Sequence, residues 1–263
     1  MSHATLRTLA GAAFVAALAA LALPASAQQD GTGKPPPVFD GRAADEIRAI
    51  VRQYLIDNPD VILEAVQALQ ARQRVDGKRR QREAIAASEA ELTRAADDPS
   101  LGTPGAPLVI VEFFDYACGY CKAMIDVMVD LVEKHKDVRL VLKELPILSP
   151  VSEQAARTAL ALAMQDAGKY RAFHIALLRA KTLNETVIER AARATGADMK
   201  RLERDLALPA IDTAIRANHA LARRLGITGT PAIIVGDTLV PGTISAEELD
   251  RLVGELREKR AAR

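Results

Sequence analysis

Apolar positions change their period several times along the chain, and each change marks an element. Ile47, Ile50, Val51, Tyr54 and Leu55 recur at helical spacing and make one helix face. Asn58-Pro59 reads as the N-cap and first residue of a second helix, whose apolar face runs through Ile62, Ala65, Val66 and Leu69. Around Gly77 the apolar residues give way to Arg72, Arg74, Lys78, Arg79, Arg80 and Arg82, which read as a solvated helix face or a hinge. Asp97 to Pro107, DDPSLGTPGAP, is a Gly/Pro-rich boundary. Beyond it, Leu108 to Phe114, LVIVEFF, is an apolar run of strand length and predicts a buried central strand. A helix is predicted from Gly119 to about His135, with Ile125, Met128, Val129 and Val132 on one face, then a strand over Val138 to Leu142.

Residues 149–225 are almost wholly helical in pattern. Ser149-Pro150 opens the first piece and Gly168 closes it; Thr182 and Glu185 form a capping box for another, ended by Gly196. Ile211, Ile215, Asn218, Leu221, Ala222 and Leu225 mark the last, ended by Gly226. Strands return at Ala232–Val235 and Thr238–Val240 about a Gly236-Asp237 turn, and Ser245 with Glu248 starts a closing helix. Strand, helix, strand, helical insert, hairpin and helix make a three-layer α/β plan with a helical insertion. The segment 40–96 is too small to bury a core alone, so its apolar faces need a cover. That cover is the following domain or a second copy of the same segment, and self-association is the expectation.

Composition narrows the function. The chain has 263 residues, 35 Lys+Arg against 34 Asp+Glu, 3% aromatics and no tryptophan. A balanced charge and so little stacking surface exclude a nucleic-acid binder. Residues 1–27 contain one charged side chain, Arg7, then an apolar run from Leu9 to Leu23, Pro24, and a small-residue site at Ala25-Ser26-Ala27. This is the pattern of a signal peptide cleaved before Gln28, shorter than the ~20 residues of a membrane span. Residues 28–39, QQDGTGKPPPVF, are a Pro/Gly-rich leader, followed by the helical segment 40–96 and an α/β domain over 97–263. Export puts the chain where disulfides form and persist.

Cys118 and Cys121 are the only cysteines, set where the central strand turns into a helix. Unpaired N–H groups and the positive end of the helix favour a thiolate at Cys118, which raises the supply of nucleophile. A structural disulfide across two residues would constrain the unfolded chain little. A zinc site lacks ligands, because His135, His174 and His219 stand at no ligand spacing. Covalent haem attachment needs histidine after the second cysteine, where this chain has Lys122. Dithiol redox chemistry is the main reading, with no cofactor beyond the Cys118–Cys121 disulfide; Cu(I) held by the two thiolates is the minor one.

The run Val111-Glu-Phe-Phe-Asp-Tyr-Ala-Cys-Gly-Tyr-Cys-Lys122, with Gly226-Ile-Thr-Gly-Thr-Pro-Ala232 far downstream, resembles the DsbA-type branch of the thioredoxin superfamily over about residues 100–260. The preceding helices, around Tyr54-Leu-Ile-Asp-Asn-Pro59, resemble the N-terminal region of ScsC-like proteins. Those are exported relatives linked to copper tolerance, some of which oligomerise through that region. The resemblance implies a thioredoxin-like fold with a helical insertion, preceded by an α-helical segment, and a periplasmic location. Cys118 then attacks and leaves, Cys121 is the buried resolving partner, and Pro231 is a cis-proline facing the disulfide. Backbone groups of Thr230 then pair with an extended client segment by strand addition. Strand alternation puts Glu112 on the face opposite Phe113, where the family has an acid beneath the active site. There it is either a buried carboxylate that takes the Cys121 proton or an ion-pair partner of a lysine such as Lys143.

Gly119-Tyr120 between the cysteines tunes the couple. The strongly oxidising members have histidine in place of Tyr120, and Asp115 adds negative charge nearby, so a less oxidising couple is expected. The leading expectation is an oligomeric disulfide isomerase or reductase acting on unfolded or misfolded exported proteins and served by a membrane redox partner. A DsbA-like dithiol oxidase and a Cu(I)-binding module are its rivals.

Overall fold

The computed structural model describes residues 40–93 and 98–262. The expected signal peptide 1–27, the leader 28–39 and the junction at Ala96 and Asp97 lie outside the described residues. The chain divides into two compact units, residues 1–62 and 63–263.

In the first unit, α1 (Gly41–Asp57) is opened by Asp40, whose carboxylate accepts the Ala43 N–H at 2.8 Å. None of its residues is buried, and Ile47, Ile50, Val51 and Tyr54 are all exposed. Asn58 closes this helix instead of opening the next one. Its backbone N–H and its side-chain amide both donate to the Tyr54 carbonyl, at 2.8 and 2.9 Å. Pro59 has no N–H to continue the ladder, and α2 (Asp60–Ala87) starts one residue later than expected.

From Leu63 the chain belongs to the second unit. α2 runs unbroken through Gly77, so the basic stretch is a solvated helix face. Arg79 spans the turn with solvent-exposed pairs to Asp76 at 3.3 Å and Glu83 at 3.1 Å. A Cβ on Gly77 would meet nothing within 4 Å. Gly77→Ala is therefore expected to stabilise α2 by about 0.5–1 kcal/mol, read as a rise in helical circular dichroism and denaturant midpoint. No gain would mean that the helix is not continuous there in solution.

The end of α2 and the short α3 (Glu89–Thr93) belong to the domain core. Ile85 and Leu92 are buried with Val111, Phe113, Leu221 and Ile234. The expected helical segment 40–96 thus does not stand apart as one body; its last turns cover one face of the sheet.

That sheet has five strands: β1 (Ser100–Gly102), β2 (Leu108–Phe114), β3 (Val138–Glu144), β4 (Ala232–Val235) and β5 (Thr238–Pro241), in the order β1-β3-β2-β4-β5. β2 and β3 are parallel and the other pairs antiparallel. β1 lies inside the stretch read as a boundary, since a three-residue strand that follows Pro99 and ends in a glycine carries no alternation. Gly102 is required there: φ is +89°, and a Cβ would come within 2.6 Å of the Val138 carbonyl.

Of the helices, α4 (Gly119–Lys134) and α10 (Ala246–Ala261) put their apolar faces into the core that also takes Ile110, Phe114, Leu142 and Ile233. The insert supplies α5 (Pro150–Gln165), α6 (Ala167–Arg179), α7 (Glu185–Ala194), α8 (Met199–Asp205) and α9 (Pro209–Arg224). Two expected caps move. Asp166 separates α5 from α6 by accepting the Gly168 and Lys169 N–H groups, so Gly168 opens α6 rather than closing α5. Asn184, not Thr182, caps α7, its side-chain carbonyl accepting the Val187 N–H at 2.9 Å. The three-layer plan with its helical insert is otherwise as the sequence predicts.

Candidate active site

β2 is buried along nearly its whole length and ends at the carboxyl edge of the sheet. The turn that leaves it is tied by Asp115, whose carboxylate accepts N–H groups from Ala117 at 2.7 Å, Ile147 at 2.9 Å and Leu148 at 3.0 Å. The Cys118 N–H donates to the Asp115 carbonyl at 3.0 Å. Three residues of turn are thereby fixed before α4 begins, and Cys118 occupies its N-cap position. The thiol makes no capping hydrogen bond to the helix, so its sulfur is left for chemistry.

Both cysteines are free thiols and buried, Cys121 completely. Cys118 Sγ donates to the Thr230 carbonyl at 3.1 Å, across 112 residues of sequence. The Thr230–Pro231 peptide is cis, as the resemblance implies. Burial pushes the Cys121 thiol far up from its ordinary range, with the charge of Glu112 adding and a backbone hydrogen bond at Asp115 opposing.

Glu112 is 2% exposed, and burial alone raises its carboxyl from 4.5 to about 8. Register explains its surroundings. Glu112 lies beside Leu142 and Ile233, while Phe113 lies beside Lys143 and Ala232. Successive side chains alternate faces, so Glu112 shares the face of α4 and Cys121, and Lys143 is on the other. The Lys143 ammonium is taken by Asp98 and by the Glu91 carbonyl. The ion-pair alternative for Glu112 is therefore not realised.

Tyr120 points outward, 69% exposed, so the residue between the cysteines offers an apolar ring and no charge. Ile147 and Leu148, held beside the turn by Asp115, are also exposed. Lys122, next after Cys121, donates to the Ala180 carbonyl at 2.8 Å and ties α4 to the end of α6. Cys118, Cys121, Glu112, Thr230 and Pro231 thus converge, with Gly119 and Tyr120 in the first turn of α4.

A second buried group went unseen in the sequence: Tyr116, Glu144, Tyr170, His174 and Asn218. The signals that could have found it are a carboxylate at the end of an apolar strand and Asn218 within the apolar face of the last insert helix. Among the described residues there is no cluster of three or more His, Cys, Asp or Glu able to hold a metal, and no helix long and apolar enough to cross a membrane.

A DSBA-like thioredoxin domain model matches residues 109–254, and the model of the copper resistance protein ScsC N-terminal domain matches residues 45–74. Among solved structures, Proteus mirabilis ScsC in a transitional conformation is 32% identical, with a TM-score of 0.64 over 84% of this chain and 100% of its own. The thiol–disulfide exchange protein α-DsbA2 of Wolbachia pipientis is 28% identical over 68% of this chain and 97% of its own, with a TM-score of 0.65. A periplasmic thioredoxin-like protein from Salmonella enterica serovar Typhimurium is 32% identical over 64% and 94%, with a TM-score of 0.56. No curated protein matches the chain.

Proposed function

The chain belongs to the DSBA-like thioredoxin-domain family of thiol–disulfide oxidoreductases, and from that premise we propose that it is an exported, oligomeric disulfide isomerase. The observation that carries the finer reading is the set of exposed apolar side chains on α1, Ile47, Ile50, Val51 and Tyr54. A helix face of this kind is stabilised by burial against copies of itself, at about 25 cal/mol per Å² of apolar area. Two or more dithiols on one assembly can hold a misfolded client while its pairings are tried. The ScsC N-terminal match lies on the same residues, and the Salmonella neighbour supports a periplasmic setting.

The chemistry follows from the site. The Cys118 thiolate attacks a client disulfide, forming a Cys118–client bond and releasing one client thiolate. A second client thiol then attacks that mixed disulfide and leaves the client re-paired, with Cys118 returned as thiolate and no net electron transfer. When no client thiol arrives, Cys121 attacks Cys118, the enzyme disulfide forms and the client leaves reduced. That exit consumes two electrons and requires an external dithiol reductant. The Thr230 backbone receives the extended client segment, and Tyr120, Ile147 and Leu148 give apolar contact to an unfolded chain.

The test is reactivation of scrambled ribonuclease by the protein lacking residues 1–27, in a redox buffer that keeps it reduced. Isomerisation restores ribonuclease activity. Rapid oxidation of reduced ribonuclease by the protein in its disulfide form, with no reactivation of the scrambled form by the reduced protein, would replace this reading by that of a dithiol oxidase.

A further inference from the structure

Behind the active-site turn lies a buried polar cluster that the exchange chemistry does not use. Glu144, the last residue of β3, receives two hydroxyls on one oxygen: Tyr170 donates to Oε1 at 3.0 Å and Tyr116 at 3.2 Å. Tyr116 Oη also lies 3.3 Å from His174 Nδ1. All four side chains are buried, and His174 Nε2 has no protein partner.

Counting protons gives the cluster a direction. Tyr116 has one hydroxyl hydrogen. If it went to His174 Nδ1, the ring proton would sit on Nε2 as a buried donor with nothing to receive it, and Glu144 would lose a donor. The opposite arrangement leaves only a bare lone pair at Nε2. The chain therefore runs from His174 Nδ1–H to Tyr116 Oη, and from Tyr116 and Tyr170 to Glu144 Oε1. Glu144 is its terminal acceptor. Burial holds the Glu144 carboxyl well above the usual range, with the Tyr170 and Tyr116 hydroxyls opposing and the Asp115 charge adding, and burial brings His174 down to about 3, so the ring is neutral.

The cluster also fixes the main chain. Asn218 of α9 donates to the Glu144 carbonyl at 3.1 Å, and the next residue, Leu145, donates its N–H to the Phe114 carbonyl at 2.9 Å. Tyr116 itself stands two residues before Cys118. The turn that presents the nucleophile is thus held on one side by Asp115 and on the other by side chains of the helical insert.

We propose that Glu144 is a positioning residue for the dithiol, which by receiving the Tyr116 and Tyr170 hydroxyls locks the turn carrying Cys118 against the helical insert. The inference rests on dithiol exchange and not on whether the protein isomerises or oxidises. It gives the insert a part in setting the nucleophile: α6 supplies two of the four side chains that decide where Cys118 sits.

Glu144→Leu keeps the bulk and removes the acceptor, whereas Glu144→Gln keeps a neutral carbonyl oxygen at the same place. Two readouts are needed: the rate at which Cys118 attacks 5,5′-dithiobis(2-nitrobenzoate), and the pH titration of its thiolate absorbance at 240 nm. Glu144→Leu is expected to slow attack about tenfold and displace the titration, while Glu144→Gln stays within about threefold of the parent in rate and does not move the titration. A folded Glu144→Leu protein with parental rate and titration would overturn the proposal, as would Gln failing as badly as Leu. If Glu144→Leu does not fold, Tyr116→Phe decides, because it deletes only one hydroxyl. About threefold slower attack with a displaced titration supports the lock, and unchanged values in both readouts overturn it.

Discussion

Replacing Glu112 by Gln is expected to slow the resolving attack of Cys121 by about two orders of magnitude, while leaving the first attack by Cys118 within a few-fold of the parent. Cys121 is completely buried and its thiol is held protonated, chiefly by burial. To attack the mixed disulfide it must lose that proton to a group on its own face of the sheet. Glu112 is such a group and acts on Cys121 by its charge. Gln can accept a hydrogen bond but cannot take the proton. An opposing effect exists, since removing the Glu112 charge makes Cys121 easier to ionise. Burial is the larger cause of the raised thiol, however, so the thiol stays protonated in the variant and loss of the acceptor dominates.

The pH dependence separates this from a packing defect. Only the ionised carboxylate accepts a proton, so the resolving rate of the parent should climb as pH rises through about 8, and Glu112→Gln should flatten that rise. Rapid acid quenching of the mixed disulfide gives its lifetime at each pH; an unchanged profile in the variant would remove Glu112 from the proton path. Stability has the opposite slope. The unfolded chain releases this proton near 4.5 and the folded chain near 8, so between those values the folded state binds more protons and the parent loses stability as pH rises. Glu112→Gln lacks that slope and gains on the parent toward pH 8, by a few kcal/mol at most, to order of magnitude.

These residues differ in how far they could be read in advance. The dithiol, the helix start beneath it and the side of β2 on which Glu112 lies follow from spacing and from the two-residue period of a strand. They are local, and the strand is long enough to fix its own phase. The Glu144 cluster is not local: Tyr170 is 26 residues from Glu144, and His174 is 58 residues from Tyr116. Only the docking of α6 against the sheet brings them together, and no period in the sequence encodes it. Caps failed for another reason. Asn58, Thr182 and Asn184 are all competent capping residues, and the choice among them is made by where the neighbouring turn directs its free groups. Ile85 and Leu92 show the same limit in burial, being no more apolar than the exposed Ile62 and Leu69.

That last comparison decides how the N-terminal helices must be removed to test their purpose. Deleting everything up to residue 96 would strip Ile85 and Leu92 from the core they share with Phe113 and Leu221, at about 2–5 kcal/mol for each such side chain. Lost activity would then report lost folding. Deleting residues 28–74 instead removes α1 and the exposed Ile62, Val66 and Leu69 of α2, and leaves the turns that carry Ile85 and Leu92. The expected result is a folded monomer that attacks a small disulfide within about twofold of the parent rate, because Cys118 and its supports lie entirely in the retained part of the second unit. Reactivation of scrambled ribonuclease by that monomer is expected to fall at least ~10-fold, since one dithiol alone loses the effective concentration that a second site on the same assembly provides. Sedimentation or light scattering measures the assembly, and the two assays separate the chemistry from its use. A monomeric variant that still reactivates ribonuclease at the parental rate would show that isomerisation needs a single domain, and the exposed face of α1 would then have to serve a partner other than its own copy.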